Sequence, residues 1–269
     1  DEILLASGND AEAAIAEIFK RFLTPVNELP IRIKNHRTPK SFFIKIDRNL
    51  DLGEEGYRLS IDSDNSVEIN SLSYAGLFYG YQTFRQICDP ELESEKDLMS
   101  TSIPCLEIID EPKFGYRGMH LDVSRHFFDV DFIKTYIDMI ALHKMNVFHW
   151  HLTDDNGWRI EIDKYPLLAE KSAWRVDRTS EPWKEQSPIK ENEEATYGGY
   201  YTKEEIREVV DYAASKSIMV IPEIEMPGHT SEVFAAYPDL SCKGEFIPVN
   251  PGSYWPNIDI FCAGNEDVF

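Results

Sequence analysis

Hydrophobic positions recur at helical spacing over residues 10–23, "DAEAAIAEIFKRFL", where Ala14, Ile15, Ile18, Phe19 and Phe22 share one side. The period then shortens to two. "SFFIKI" (41–46), "GYRLSI" (56–61) and "SVEINS" (66–71) read as short strands separated by turn residues. "SYAGLFYGYQTFRQIC" (73–88) reads as an apolar helix opened by Ser73. A helix, three strands and a helix make a small α+β domain, which the pattern assigns to residues 1–111. The Pro and Gly of "DEPKFGYRG" (110–118) mark its boundary.

From residue 116 the rhythm becomes strand–helix–strand. "YRGMHLDVS" is a strand candidate. "DFIKTYIDMIALHKM" (131–145) is a helix with Phe132, Ile133, Tyr136, Ile137, Ile140 and Ala141 on one side, and "NVFHWHL" (146–152) is the next strand. After a long insert, "YTKEEIREVVDYAASKS" (201–217) pairs Thr202 with Glu205 at capping-box spacing and lines up Ile206, Val209, Val210 and Ala213. "IMVIPEI" (218–224) is a third β-rich run. Such alternation calls for a parallel sheet with helices outside it, in a (β/α)₈ barrel or an open doubly wound sheet. No G-x-G-x-x-G or Walker lysine follows a strand, which counts against the nucleotide-binding version.

Composition narrows the classes. In 269 residues, 48 acids oppose 27 bases, a net charge of −21. A surface of that sign repels phosphate backbones, so nucleic acid is not an expected partner. Hydrophobic residues make up 42%, enough for a core, yet no run of about eighteen apolar residues codes a bilayer span. Neither Met nor an apolar signal region opens the chain. Cys88, Cys105, Cys242 and Cys262 form no C-x-x-C pair, which argues against structural zinc. Cys242 and Cys262 could bridge a loop in an oxidising compartment or remain thiols; spacing does not decide.

In parallel α/β folds, functional groups gather where strands end and loops begin. "NVFHW" runs into "HLTDDNGWR", with two adjacent carboxylates, a second histidine and an arginine. "IMVIP" runs into "EIEMPGHT", with Glu223, Glu225 and His229. The first strand carries Arg117 at its start and runs into Asp122, Ser124, Arg125 and His126. A packing core explains one such cluster easily and three poorly.

The long segments "GYRGMHLDVSRHFFDVDFIKTYIDMIALHKMNVFHWHLTDDNGWRIEIDKYPLL" and "GGYYTKEEIREVVDYAASKSIMVIPEIEMPGHTSEVFAAYPDL" closely resemble the β-N-acetylhexosaminidases of glycoside hydrolase family 20. The resemblance covers about residues 112–269, and the preceding domain is similar to that family's non-catalytic N-terminal domain. It implies a (β/α)₈ TIM barrel, of which about the first three β/α units are present, truncated, after the α+β domain. The implied activity is retaining hydrolysis of terminal β-linked N-acetylglucosamine or N-acetylgalactosamine, without cofactor or metal. In that scheme the substrate's own acetamido oxygen attacks the anomeric carbon. Carbohydrate is the implied partner. A periplasmic, secreted or lysosomal setting fits the family.

Carried over position by position, the resemblance implies that Asp154 and His229 form a pair behind the catalytic Glu, and that Arg117 holds the outer hydroxyls of the sugar. His151, Asp155, Trp158 and Glu223 match motif positions as supporting residues on the substrate side. The family's acid and its Asp neighbour lie in a string resembling H-x-G-G-D-E, which does not occur here, and Glu266 and Asp267 of "GNED" do not replace it. The expectation is therefore a part of a longer polypeptide, inactive by itself. Two alternatives differ in class: a metal-dependent barrel hydrolase using His149, His151, Asp154 and His229, and a non-catalytic carbohydrate-binding barrel.

Overall fold

In the computed structural model, which describes residues 2–23, 29–93, 103–252 and 259–268, the chain begins with a strand that alternation does not flag, β1 (Glu2–Leu5). Ile3, Leu4 and Leu5 are all buried, and β1 lies between parallel neighbours β2 (Ile31–Ile33) and β3 (Ser41–Ile46). A strand covered on both faces reads as a continuous apolar run, so the period of two is missing. Helix α1 (Asp10–Leu23) follows β1 and buries Ile15, Ala16, Phe19 and Leu23. Its first turn also buries Glu12, whose carboxylate accepts the backbone N–H groups of Ser7 (2.8 Å), Gly8 (2.8 Å) and Ile46 (2.9 Å). A buried carboxylate is tolerated when its lone pairs are used in this way.

Strands β4 (Tyr57–Ile61) and β5 (Val67–Ser71), helix α2 (Tyr74–Ile87) and strand β6 (Leu106–Asp110) complete this unit, Asp1–Arg117 with Ala141–Lys144. The sheet order is β2-β1-β3-β5-β4-β6, with β4 antiparallel to both its neighbours. Ser73 caps α2 by accepting from the Gly76 N–H. A Cβ on Gly76 would fall 2.0 Å from Ser71 Oγ, so only glycine lets α2 approach the sheet this closely. Phe19 of α1 packs edge-on to Tyr81 (5.0 Å) and against Phe84 (5.3 Å) of α2.

The second unit is Gly118–Ile140 with Met145–Phe269. Strand β7 (Gly118–Asp122), helix α3 (Val130–Leu142) and strand β8 (Val147–His151) match the first strand–helix–strand repeat. The long insert forms two ribbons, β9 (Thr153–Asp154) with β10 (Gly157–Trp158) and β11 (Trp174–Val176) with β12 (Ala195–Gly198). Helix α4 (Lys203–Ala214) carries the expected capping box, with Thr202 and Glu205 reciprocally bonded, and leads to β13 (Met219–Glu223). The three long strands are parallel, in the order β7-β8-β13.

Ile133, Ile137, Ile140 and Ala141 of α3 are buried, as are Val209 and Ala213 of α4. Phe132 and Val210 are not: each is 41% exposed. Each lies one residue from the centre of its stripe, about 100° round the helix, which carries it off the packed face. Phe132 stacks instead on Phe128, with ring centroids 4.2 Å apart.

Candidate active site

Register brings the chemistry together. Asp122, His151 and Glu223 are cross-strand neighbours on β7, β8 and β13, and His120 faces His149 two residues earlier. With side chains alternating along each strand, these five groups share one face. Just past the strand ends lie Arg125, Asp154, Asp155 and His229.

Asp154 is the hub. It is 1% exposed. Oδ1 accepts the Asp155 N–H at 2.8 Å and lies 3.0 Å from Nδ1 of His229. Oδ2 pairs with Nη2 of Arg125 at 2.5 Å and faces Nε2 of His151 at 3.2 Å. Arg125 is also tied to Asp122, whose Oδ2 accepts from Nη1 at 2.9 Å. Asp155 holds the loop after β13, since Oδ1 accepts from Ser231 N (3.1 Å) and Oγ (2.9 Å), while Oδ2 lies 3.5 Å from His229 Nδ1. His229 sits in the left-handed region at φ 54°. A non-glycine residue there costs about 1–3 kcal/mol and persists where its surroundings over-determine it.

Burial drives the Asp154 carboxyl up, but His151, Arg125, the Asp155 amide and His229 together outweigh burial, and the group sits below the ordinary carboxylate range. Glu225 goes the other way, raised by burial, by its hydrogen bond with Glu223 and by the charges of Glu223 and Asp154.

Beneath these loops lies a buried cation. Arg159 is 0% exposed and spends all five N–H groups on carbonyls: Nε on Val123, Nη1 on Ala173 and Gly199, Nη2 on Ser124 and Asn156. It thereby joins the loop after β7, the β9–β10 turn and both strands of the β11–β12 ribbon at one end, where Ala173 and Gly199 lie side by side. The guanidinium needs the room left by Gly157, where an added Cβ would meet its central carbon at 2.4 Å. Arg175 adds bonds to the carbonyls of Asn156 (3.0 Å) and Arg125 (2.7 Å).

The strand-end groups open into a cavity of about 680 Å³, within the size range of small-ligand sites. Asp122, Arg125, Asp154, Asp155 and His229 line it, together with insert residues including Arg178 and Trp183.

The structure brings Asp154, Asp155, His151, Glu223 and His229 into one cluster. It does not bring Arg117 there. Arg117 precedes β7, at the end opposite Asp122, and pairs in the first unit with Glu55 (3.0 Å), the Tyr79 hydroxyl (3.1 Å) and the carbonyls of Phe114 and Lys144. The arginine at the site is Arg125. Trp158 is 8% exposed, packs with Leu168, Val233, Phe234 and Phe261, and donates its indole N–H to Ile160 O at 2.6 Å. It is core, not a platform for a ligand. Sequence reasoning noted Arg125 and Arg159 in their strand-end clusters but assigned neither a role, and it missed Trp183. Position after rather than before the apolar run separates Arg125 from Arg117; no local signal marks Trp183.

Among the described residues, three groups have donor atoms spaced closely enough for a metal ion: His120, His149 and Glu223; His151, Asp154 and Glu225; and Asp154, Asp155 and His229. In the two that share Asp154, a cation would compete with the guanidinium already 2.5 Å from Oδ2. The donor set there suits ion pairing better than metal ligation.

The model of "Glycosyl hydrolase family 20, catalytic domain" matches residues 114–269, and that of "Glycosyl hydrolase family 20, domain 2" matches residues 2–111. The chain belongs to glycosyl hydrolase family 20. A beta-hexosaminidase of Porphyromonas gingivalis is 43% identical over 248 residues, covering 90% of this chain and 29% of that protein. A beta-N-acetylhexosaminidase of Cellulomonas fimi is 33% identical, covering 82% of this chain and 40% of that protein. The solved family 20 beta-N-acetylhexosaminidase of Streptomyces coelicolor superposes with a TM-score of 0.83 at 33% identity over 99% of this chain and 50% of its own. The chain therefore spans less than half the length of the curated family 20 relatives it matches. Its second unit holds the first three parallel strands of the family's (β/α)₈ barrel.

Proposed function

We propose that the polypeptide carrying this chain hydrolyses terminal β-linked N-acetylhexosamine with retention, and that this chain supplies the dyad and the sugar-gripping arginine of that site. One observation carries the reading: a buried Asp154 carboxylate 3.0 Å from His229 Nδ1 at the wall of a strand-end cavity. Asp154 fixes the His229 tautomer with the proton on Nδ1, leaving Nε2 of a 42% exposed ring to face the general acid. The substrate's acetamido oxygen is the nucleophile and closes an oxazolinium ring, while an enzyme Glu protonates the leaving oxygen. That Glu and its Asp neighbour belong to a string absent from these 269 residues, so this chain alone is assigned no turnover. Arg125, with two contacts to Asp154 and Asp122, retains donors for sugar hydroxyls and takes the role expected of Arg117.

A solved mutant beta-hexosaminidase of Streptomyces plicatus, with a TM-score of 0.84 to this chain, is in complex with product GlcNAc, which supports the substrate class. The Cys242–Cys262 disulfide supports an oxidising setting, outside the cytosol. The test is hydrolysis of an aryl N-acetyl-β-glucosaminide against the corresponding β-glucoside by the whole polypeptide. The proposal requires strong preference for the N-acetyl substrate and β-anomeric product by NMR. Equal rates on both, or an α product, would refute it.

A further inference from the structure

Below the Asp154–His229 pair lies a layer of ionisable side chains that the proposed reaction leaves unused. Glu223 Oε2 lies 2.6 Å from Nε2 of His149, 3.6 Å from Nε2 of His120 and 3.8 Å from Nδ1 of His151. On the other side of the His151 ring, Nε2 faces Asp154 Oδ2 at 3.2 Å and Glu225 Oε1 at 3.8 Å. His151 is 5% exposed, and its Nε2 makes no aligned hydrogen bond among the described residues.

The chemistry of the ring decides its state. A neutral imidazole has one N–H and one lone pair, so either tautomer would aim a lone pair at a carboxylate. Only a ring protonated on both nitrogens offers each side a proton. We propose that His151 is a cationic positioning residue, clamped between Glu223 inside the barrel and Asp154 at its mouth, which fixes the charge and orientation of the Asp154 carboxylate beneath His229.

The surroundings favour this balance. The groups facing His151 are Asp122 and His120 on β7, His149 on β8, Asp154 with its partners Arg125 and His229, and Glu223 and Glu225 on and after β13. Four carboxyl groups thus surround one buried ring. Burial pulls the His151 imidazole down, yet Asp154, Asp122 and Glu223 more than offset burial and hold it above its ordinary value. His120 moves the opposite way, lowered by burial and by its neighbours His149 and His151. The two rings are thus pushed in opposite directions within one coupled cluster. Asp154 then receives charge from below through His151 and from the side through Arg125, leaving Oδ1 aimed at His229.

The kinetic consequence rests on the proposed hydrolase reading; the protonation state does not. Long-range ¹H–¹⁵N spectra of the imidazoles across pH, with His151 assigned through its backbone-to-ring connectivities, read the state directly. The expected result is a ring protonated on both nitrogens through neutral pH. Glu223→Gln should weaken its proton affinity about tenfold or more, the usual effect of removing one close opposite charge, and Glu223→Asp should restore part of it. In the whole enzyme, Glu223→Gln should shift the alkaline limb of kcat to lower pH while KM changes little. A neutral single tautomer at pH 6–7 in wild type overturns the proposal, and that measurement needs no variant to fold. Failure of wild type to hydrolyse N-acetylhexosaminides would instead overturn the hydrolase reading and leave the titration standing.

Discussion

Replacing Arg159 by lysine tests whether one buried cation organises the site. Arg159 makes five hydrogen bonds with five donors, each to a backbone carbonyl. Lysine has three donors on one nitrogen, so at least two of the five hydrogen bonds are lost. A hydrogen bond to a charged group contributes about 1.5–3 kcal/mol, which puts the loss at roughly 3–6 kcal/mol. Burial, with Arg175 nearby, already pushes the guanidinium down to about 10; an ammonium in its place has less reserve and deprotonates more readily. The damage should be local as well as global, because Ser124 and Asn156, two of the carbonyl owners, flank Arg125 and Asp155 in sequence. Urea denaturation followed by far-UV circular dichroism measures the first effect. Faster hydrogen exchange at residues 123–126 and 154–157 measures the second. A stability loss below about 1 kcal/mol with unchanged exchange would show that these loops hold themselves, and the clamp argument would be wrong.

Other substitutions separate the roles. In the whole enzyme, Asp154→Asn should lower kcat on aryl N-acetyl-β-glucosaminides more than it raises KM, by part of the roughly 10²–10⁴ that general acid catalysis provides; a pure KM effect would remove Asp154 from the dyad. Arg125→Ala should weaken inhibition by an N-acetylglucosamine-thiazoline mimic, whereas Arg117→Ala should leave inhibition unchanged and destabilise the first unit by about 1.5–3 kcal/mol, because its partners are Glu55 and Tyr79. Opening the Cys242–Cys262 bridge, which spans a sequence separation of 20, should cost about 3 kcal/mol by loop-closure entropy and lower the melting temperature of the oxidised protein; an equal melt for Cys242→Ser/Cys262→Ser would contradict it. Stability should depend on pH in two windows. Asp154 has a depressed folded pKa, so its contribution is present above the unfolded carboxyl value and lost as pH falls through the lower folded one. His151 has a raised folded pKa, so its contribution is present below the unfolded imidazole value and lost as pH rises through the higher folded one. Melting temperature against pH for wild type, Asp154→Asn and His151→Gln checks both.

Local pattern alone determined much of this protein. The Ser73 cap of α2, the Thr202–Glu205 box of α4, the three barrel strands and the polar clusters at their ends are written in spacing over a few residues, because a helix or strand period is a property of neighbours along the chain. Tertiary structure decided what meets what. Arg117 and Arg125 flank the same strand, and both were polar residues at the edge of an apolar run. Five residues of β7 separate their ends by roughly 17 Å, so one faces Glu55 and the other Asp154. Trp158 carries the same indole whether it packs or binds, and the closing of Leu168, Phe234 and Phe261 around it settled the matter. β1 escaped notice because burial on both faces erases alternation. Asp154 and His229 lie 75 residues apart, and the five carbonyls of Arg159 come from four segments. Such contacts depend on where separate segments are placed in space, and no period along the chain encodes that distance.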